Sequence, residues 1–222
     1  MFSSVSYNGY AQLRPQKLNS NLYLYNTATD SLEILNKYSD GTTAQHDFSQ
    51  ASISSSGQYV TVVANTNIAS DKPPQAMSSN GIYKLDRADH SWSYVSISAD
   101  KTQTNNATVQ SPSISGDGRY IAYNSLSSNL SEIDYNRTWQ TYVVDTHTKK
   151  SEMISVSEVT GLATDGYGAI NSVISDNGEY VFFTTKTHNM VNEHTTKFNV
   201  LNLYRGKNPF GSKYSTYPMC EL

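Results

Sequence analysis

The phrase SPSISGDGRYIAY, Ser111 to Tyr123, has a near copy on each side. QASISSSGQYVTV runs from Gln50 to Val62, and NSVISDNGEYVFF runs from Asn171 to Phe183. Aligned on Gly57, Gly118 and Gly178, the copies stand 61 and 60 residues apart. Ile53, Ile114 and Ile174 hold one common place, Ser54, Ser115 and Ser175 the next, and Tyr59, Tyr120 and Tyr180 a third. Two further registers keep the interval. Gly41, Lys101 and Gly161 sit in polar loops after short apolar runs, and Asn67, Asn129 and Asn189 each precede an aliphatic residue or methionine. Three registers in agreement make this an internal repeat, and an internal repeat restricts the fold before any single residue does.

One repeat reads as four strands. The first is short, around Ser113 to Ser115. Asp117-Gly118 makes a tight turn, because glycine accepts a positive φ and aspartate satisfies nearby backbone donors. Asn177-Gly178 repeats it, and Ser56-Gly57 does so more weakly. The run Tyr120 to Tyr123 is almost wholly apolar, as a strand covered on both faces requires. Trp139 to Asp145 is the third strand; Ser151 to Val156, alternating polar and apolar, is the fourth and outer one. GIYKLD and VLNLY are third strands of neighbouring repeats, and WSYVSIS is a fourth. NLYLYN and SLEIL supply both near the start, where SSVSYNGY reads as a degenerate first-strand phrase. Helical periodicity extends nowhere over a useful length.

A lone four-stranded antiparallel sheet cannot cover its own faces, whereas copies stacked face to face can. The expected fold is therefore all-β: a β-propeller of about four four-stranded antiparallel blades, near 2–35, 51–98, 112–157 and 172–217, in one domain over 1–222. A small ring, an open arc and part of a larger propeller all fit. The rivals are a β-solenoid, whose usual turn is about half this interval, and a β-sandwich with accidental similarity.

The phrases PSISGDGRYIAYNS, SNL and TYVVDTHTKKSEMISVS resemble the TolB-like β-propeller repeat. The likeness covers about 50–217, with a weaker copy at 2–35. It implies four-stranded blades round an axial channel, a binding-scaffold role and a periplasmic or extracellular location. Closed rings in this family usually hold six to eight blades. Two departures stand out: Ser55-Ser56 replace Gly-Asp, and the Asp-rich loop after the Asn-aliphatic pair is thinned to Asp71, Asp134 and Glu193.

Composition removes several function classes. The net charge is -3 and the densest basic pair is Lys149-Lys150, which argues against nucleic-acid capture. No window is apolar for long enough to form a membrane helix. The start MFSSVSYNGYAQLRP lacks a signal-peptide pattern, which leaves a cytoplasmic location open. The single cysteine, Cys220, rules out an intrachain disulfide and a Cys-based zinc site, though it could join two chains.

The chemistry-bearing residues are sparse in pattern. His46, His90, His147, His188 and His194 form no metal-ligand spacing, although His188, Glu193 and His194 share a loop; no metal and no cofactor is expected. No nucleophile elbow, P-loop or dinucleotide fingerprint occurs. SGDGRY reads as a hairpin turn rather than a sialidase Asp box. Trp92 and Trp139 read as blade packing, with carbohydrate stacking as the alternative. Asn106, Asn129 and Asn136 begin N-x-Ser/Thr sequons.

Gln50, Ser111 and Asn171 enter the first strand at one equivalent position. These neutral hydrogen-bonding residues are the candidate binding residues at the channel rim. The leading functional expectation is a non-catalytic propeller scaffold for protein binding or assembly, with a protein partner, self-association, a small ligand or a glycan bound. One alternative is a propeller hydrolase: a glycosidase, a lactonase or the gating propeller of a peptidase. The other is a structural subunit that polymerises through exposed blade ends.

Overall fold

The recurring phrase owes its residue types to a local hydrogen-bond circuit. Ser115 Oγ donates to Asp117 Oδ1 at 2.6 Å and accepts from the Tyr120 N–H at 3.0 Å. Asp117 Oδ1 also accepts from Arg119 N–H, and the turn closes from Gly118 N–H to Ser115 O, both at 2.9 Å. Ser175, Asn177 and Tyr180 repeat the circuit, and Ser54 with Ser56 and Tyr59 repeat it with a hydroxyl in place of the carboxylate. Gly57, Gly118 and Gly178 have φ of 72°, 74° and 72°, as the turn demands.

The computed structural model describes residues 2–4, 21–38, 40–44, 46–65, 68–69, 80–133, 137–164, 168–187, 190–191 and 200–211. These residues are all-β, in four antiparallel sheets that follow one another in chain order. The first sheet holds β1 (Phe2–Ser4), β2 (Asn21–Asn26) and β3 (Ser31–Ile34). The second holds β4 (Asp47–Ile53), β5 (Tyr59–Asn65), β6 (Gly81–Asp86) and β7 (Ser91–Tyr94). The third holds β8 (Val109–Ile114), β9 (Tyr120–Ser125), β10 (Gln140–Asp145) and β11 (Lys150–Met153). The fourth holds β12 (Ala169–Ile174), β13 (Tyr180–Thr185) and β14 (Asn202–Lys207). Strand order within each sheet is the simple meander of a propeller blade.

Each sheet packs on the next. Leu22 and Leu35 of the first join Val60, Val62, Tyr83 and Trp92 of the second in one core. Val63, Ile82 and Val95 of the second join Ile121, Tyr123 and Tyr142 of the third. Ala122, Val143 and Ile154 of the third join Val181, Phe183 and Tyr204 of the fourth. The middle strands β9 and β10 are buried along their whole length, as an apolar run covered on both faces requires. Packing between neighbouring sheets is heaviest along β4, β8 and β12, so the sheets converge on these inner strands and splay outward. Among the described residues no comparable packing joins the fourth sheet to the first, so the four sheets form an open arc.

Two local readings change. The first strands are longer than the phrase predicts, because β8 starts at Val109 and passes through a bulge before Ser113. Residues 2–4 are not a first strand. Phe2 pairs with Tyr23 and Ser4 with Asn21, which gives β1 the second-strand place beside β2. The rest of SSVSYNGY lies outside the described residues, as do Asn67, Asp71, Asp134, Asn136, His188, Asn189, Glu193, His194 and Cys220.

Within the third sheet, Arg119 of the β8–β9 turn grips Asp145 at the end of β10 by both carboxylate oxygens, Nε to Oδ1 at 3.1 Å and Nη2 to Oδ2 at 3.0 Å. Burial opposes ionisation of Asp145, but Arg119 and the His147 N–H outweigh it and hold the carboxyl below its usual range. Asp117 is also lowered: burial works against it, and the Ser115 hydroxyl and Arg119 N–H prevail. Depressed carboxyls add stability above the unfolded value, about pH 4, and that stability is lost as pH falls through the folded values. The expected Asp145 contribution is about 1 kcal/mol, reduced by water screening of the partly exposed Arg119. Thermal midpoints measured from neutral pH downward check this. The midpoint should fall below pH 4 and fall less steeply in Asp145→Asn; equal slopes in the two proteins would refute the assignment.

Candidate functional site

The inner strands share one irregularity, which places the three rim candidates. The β4–β5 register shifts between Ser49 and Ser52, the β8–β9 register between Gln110 and Ser113, and the β12–β13 register between Ile170 and Val173. Each shift is a bulge, and its first extra residue is left-handed: Gln50 at φ 49°, Ser111 at 53° and Asn171 at 57°. A left-handed residue that is not glycine costs on the order of 1–2 kcal/mol, so three in a row at equivalent places reflect a demand of the architecture.

A bulge takes backbone groups out of the ladder and they need other partners. The Ser111 N–H donates to Gln50 Oε1 of the preceding sheet at 2.6 Å. Ser172 Oγ donates to Ser111 O at 2.9 Å, and the Ser172 N–H to Asn124 Oδ1 at 3.1 Å. Beyond the bulges, Ser113 Oγ accepts from the Ile174 N–H at 3.1 Å, and Ser52 Oγ from the Ile114 N–H at 3.4 Å. The three inner strands are thus tied sheet to sheet at their bulges. Gln50 and Asn171 are exposed, and Ser111 is half-buried between them. Asn171 also donates from Nδ2 to Thr184 Oγ1 at 3.3 Å.

The other singled-out residues serve the framework. Trp92 is buried and donates from its indole N–H to Lys37 O of the first sheet at 3.0 Å. Trp139 is half-buried, and its carbonyl accepts from Ala169 N–H at 2.6 Å. Asn106 and Asn129 clamp the loop between the second and third sheets. Asn106 Nδ2 donates to Ser128 Oγ at 2.7 Å, and Asn129 Nδ2 to Thr104 O at 2.8 Å. A glycan on either amide would displace that bond. His46 meets Tyr38 Oη at 3.1 Å, and His147 gives its backbone N–H to Asp145. Among the described residues no three His, Cys, Asp or Glu gather in a metal-binding group, and no helix is long and apolar enough to cross a membrane.

Sequence reasoning reached these three equivalent positions through the repeat but not their backbone state. No glycine marks the bulges, so the left-handed conformation carries no composition signal. The same holds at Asp30, His90 and Lys149, which end the four-residue hairpins between third and fourth strands at φ of 53°, 57° and 56°.

No protein-family model and no curated protein matches this chain. Similar solved structures exist at low identity. A protein assigned as TolB from Agrobacterium tumefaciens is 16% identical, with a TM-score of 0.50 over 89% of this chain and 56% of that one. TolB from Acinetobacter baumannii is 12% identical, with a TM-score of 0.48 over 87% of this chain and 36% of that one. A prolyl endopeptidase is 17% identical, with a TM-score of 0.46 over 88% of this chain and 25% of that one. The fold is a TolB-like propeller arrangement, and this chain spans little more than half the length of the first of these proteins and less of the others.

Proposed function

We propose that this TolB-like propeller module is a non-catalytic scaffold that binds an extended polypeptide across the rim formed by Gln50, Ser111 and Asn171, at the cell envelope or outside it. The observation that carries the reading is the row of three equivalent left-handed bulges on successive inner strands, linked by hydrogen bonds and exposed at both ends. A bulge re-aims side chains away from the regular ladder, and neutral amides complement the alternating donors and acceptors of a peptide backbone. Gln50 spends its carbonyl on Ser111, which leaves its two N–H donors for a ligand. The inner strands hold these groups at fixed spacing, so little ordering cost remains at binding. The envelope location rests on the resemblance of the repeat phrases to the TolB-like family.

The test is a display library of random linear peptides, selected on the intact chain. Selected peptides should lose at least about tenfold in affinity for Gln50→Gly/Asn171→Gly, the loss of more than ~1 kcal/mol that marks a hot spot. Glycine keeps the positive φ at both bulges; Gln50→Glu, which keeps the acceptor for the Ser111 N–H and removes only the two donors, should also weaken binding with an unchanged circular dichroism spectrum. Peptides that bind both proteins equally, or a library that yields no binder, would exclude the rim. Turnover of chromogenic ester or glycoside substrates would replace the scaffold reading with a hydrolase.

A further inference from the structure

Among the described residues, the arc ends in two sheet faces that no further sheet covers, and they are the two halves of the interface repeated inside it. Internally, each sheet offers a leading face to its successor and a receiving face to its predecessor. Ala122 and Val143 lie on the leading face of the third sheet; Phe183 and Tyr204 lie on the receiving face of the fourth. Strand pairing carries these positions to the ends of the arc. Phe183 pairs with Tyr204 as Tyr123 pairs with Tyr142 and Val62 with Tyr83. The alternate residues Phe182 and Leu203 therefore occupy the leading face of the fourth sheet.

Val173, cross-strand from Phe182, lies on that face too. It takes the place of Ser52 and Ser113, the hydroxyls that reach the next sheet's backbone. At the other end, Tyr23 of the first sheet holds the place of Tyr83, Tyr142 and Tyr204. Its partner Ile34 stands where Tyr94 and Met153 stand, and Tyr25 pairs with Leu32 beside them.

Burial separates these end faces from the inner ones. Val173 is 55% exposed, Leu203 58% and Leu32 64%, while Val143, Tyr83 and Tyr142 are at most 1% exposed. No large exposed apolar residue lies in a strand of the second or third sheet. A leading face and a receiving face left bare on one molecule fit each other and not themselves, which is the condition for head-to-tail pairing.

We propose that a second copy of this chain covers these faces, the fourth sheet of one copy packing its Val173, Phe182 and Leu203 on the Tyr23, Leu32 and Ile34 side of the other copy's first sheet. The chain spans 56% of the Agrobacterium protein, so two copies supply about the length of such a molecule, and two identical contacts close the pair without a free end. The pairing does not depend on peptide binding at the rim, and either can fail alone.

Sedimentation of the intact 222-residue chain tests it. The wild type should associate at micromolar concentration. Leu203→Glu and Leu32→Glu should each raise the dissociation constant at least about tenfold. Both side chains are more than half exposed, so the fold should survive, with circular dichroism as the check. An equimolar mixture of the two variants should regain association, because each keeps the face the other lost. A monomeric wild type, as expected if further blades of a longer polypeptide cover these faces, would overturn the proposal. So would variants that still associate, or a mixture that stays monomeric, which would mark a like-to-like contact.

Discussion

Gly118→Val should lower the unfolding free energy by about 2–5 kcal/mol, from a left-handed penalty of about 1–2 and overpacking of about 1–3. Gly118 has φ 74°, and a Cβ placed there would come within 2.0 Å of the Tyr59 ring of the preceding sheet. Tyr120 lies over Gly178 in the same way, at 2.5 Å from such a Cβ. The glycine and tyrosine of the repeated phrase are thus partners across the interface: the tyrosine of one copy occupies the space left by the glycine of the next. Chemical denaturation of four proteins measures it. Tyr59→Ala should restore part of the loss in Gly118→Val, so the two substitutions should be non-additive. Gly41→Val is the comparison, because Gly41 has φ 83° with nothing within 4 Å of the added carbon and should show the backbone penalty alone. Equal losses at Gly41 and Gly118 would dismiss the interlock.

Trp92→Ala should cost about 3–5 kcal/mol, the range for truncating a buried large aromatic, and the loss should fall on the first sheet. Trp92 meets Phe48 at 5.9 Å between ring centroids and shares a core with Leu22 and Leu35. Its N–H also satisfies Lys37 O. The ion pair of Arg87 with Glu33 also ties the first two sheets, but it is partly exposed and weak by comparison. Hydrogen exchange should quicken at Leu22 and Leu35, whose N–H groups bond to Asn36 Oδ1 and Leu22 O, while β8 to β14 keep their protection. Uniform loss of protection along the chain would contradict an arc of separable sheets.

The turns were legible in the residues because their cause is local. Ser115, Asp117, Gly118 and Tyr120 lie within six positions and satisfy one another. The buried strand β9 was legible because Tyr120 to Tyr123 show no polar alternation; the equal burial of β10 came from the structure. The loop register was legible as well: Gly41, Lys101 and Gly161 all prove left-handed, at φ of 83°, 63° and 68°, although Lys101 alone would not have announced it. The equivalence of the three candidate binding positions was legible; their backbone was not. Repetition located Gln50, Ser111 and Asn171, but their bulges depend on partners about 60 residues away, such as Gln50 for the Ser111 N–H.

By itself the sequence determined the repeat, the turn circuit and the sheet as the unit, since each arises from groups close in the chain or from strand alternation. Only the tertiary structure decided that β1 takes a second-strand place, that the inner strands bulge in register, and that among the described residues the fourth sheet does not pack on the first. Tyr23 and Tyr142 sit in equivalent places, and Val173 has the apolar character of any core residue. Whether such a side chain ends up covered depends on a neighbouring sheet brought there by distant segments, and local chain chemistry holds no record of whether that neighbour is present.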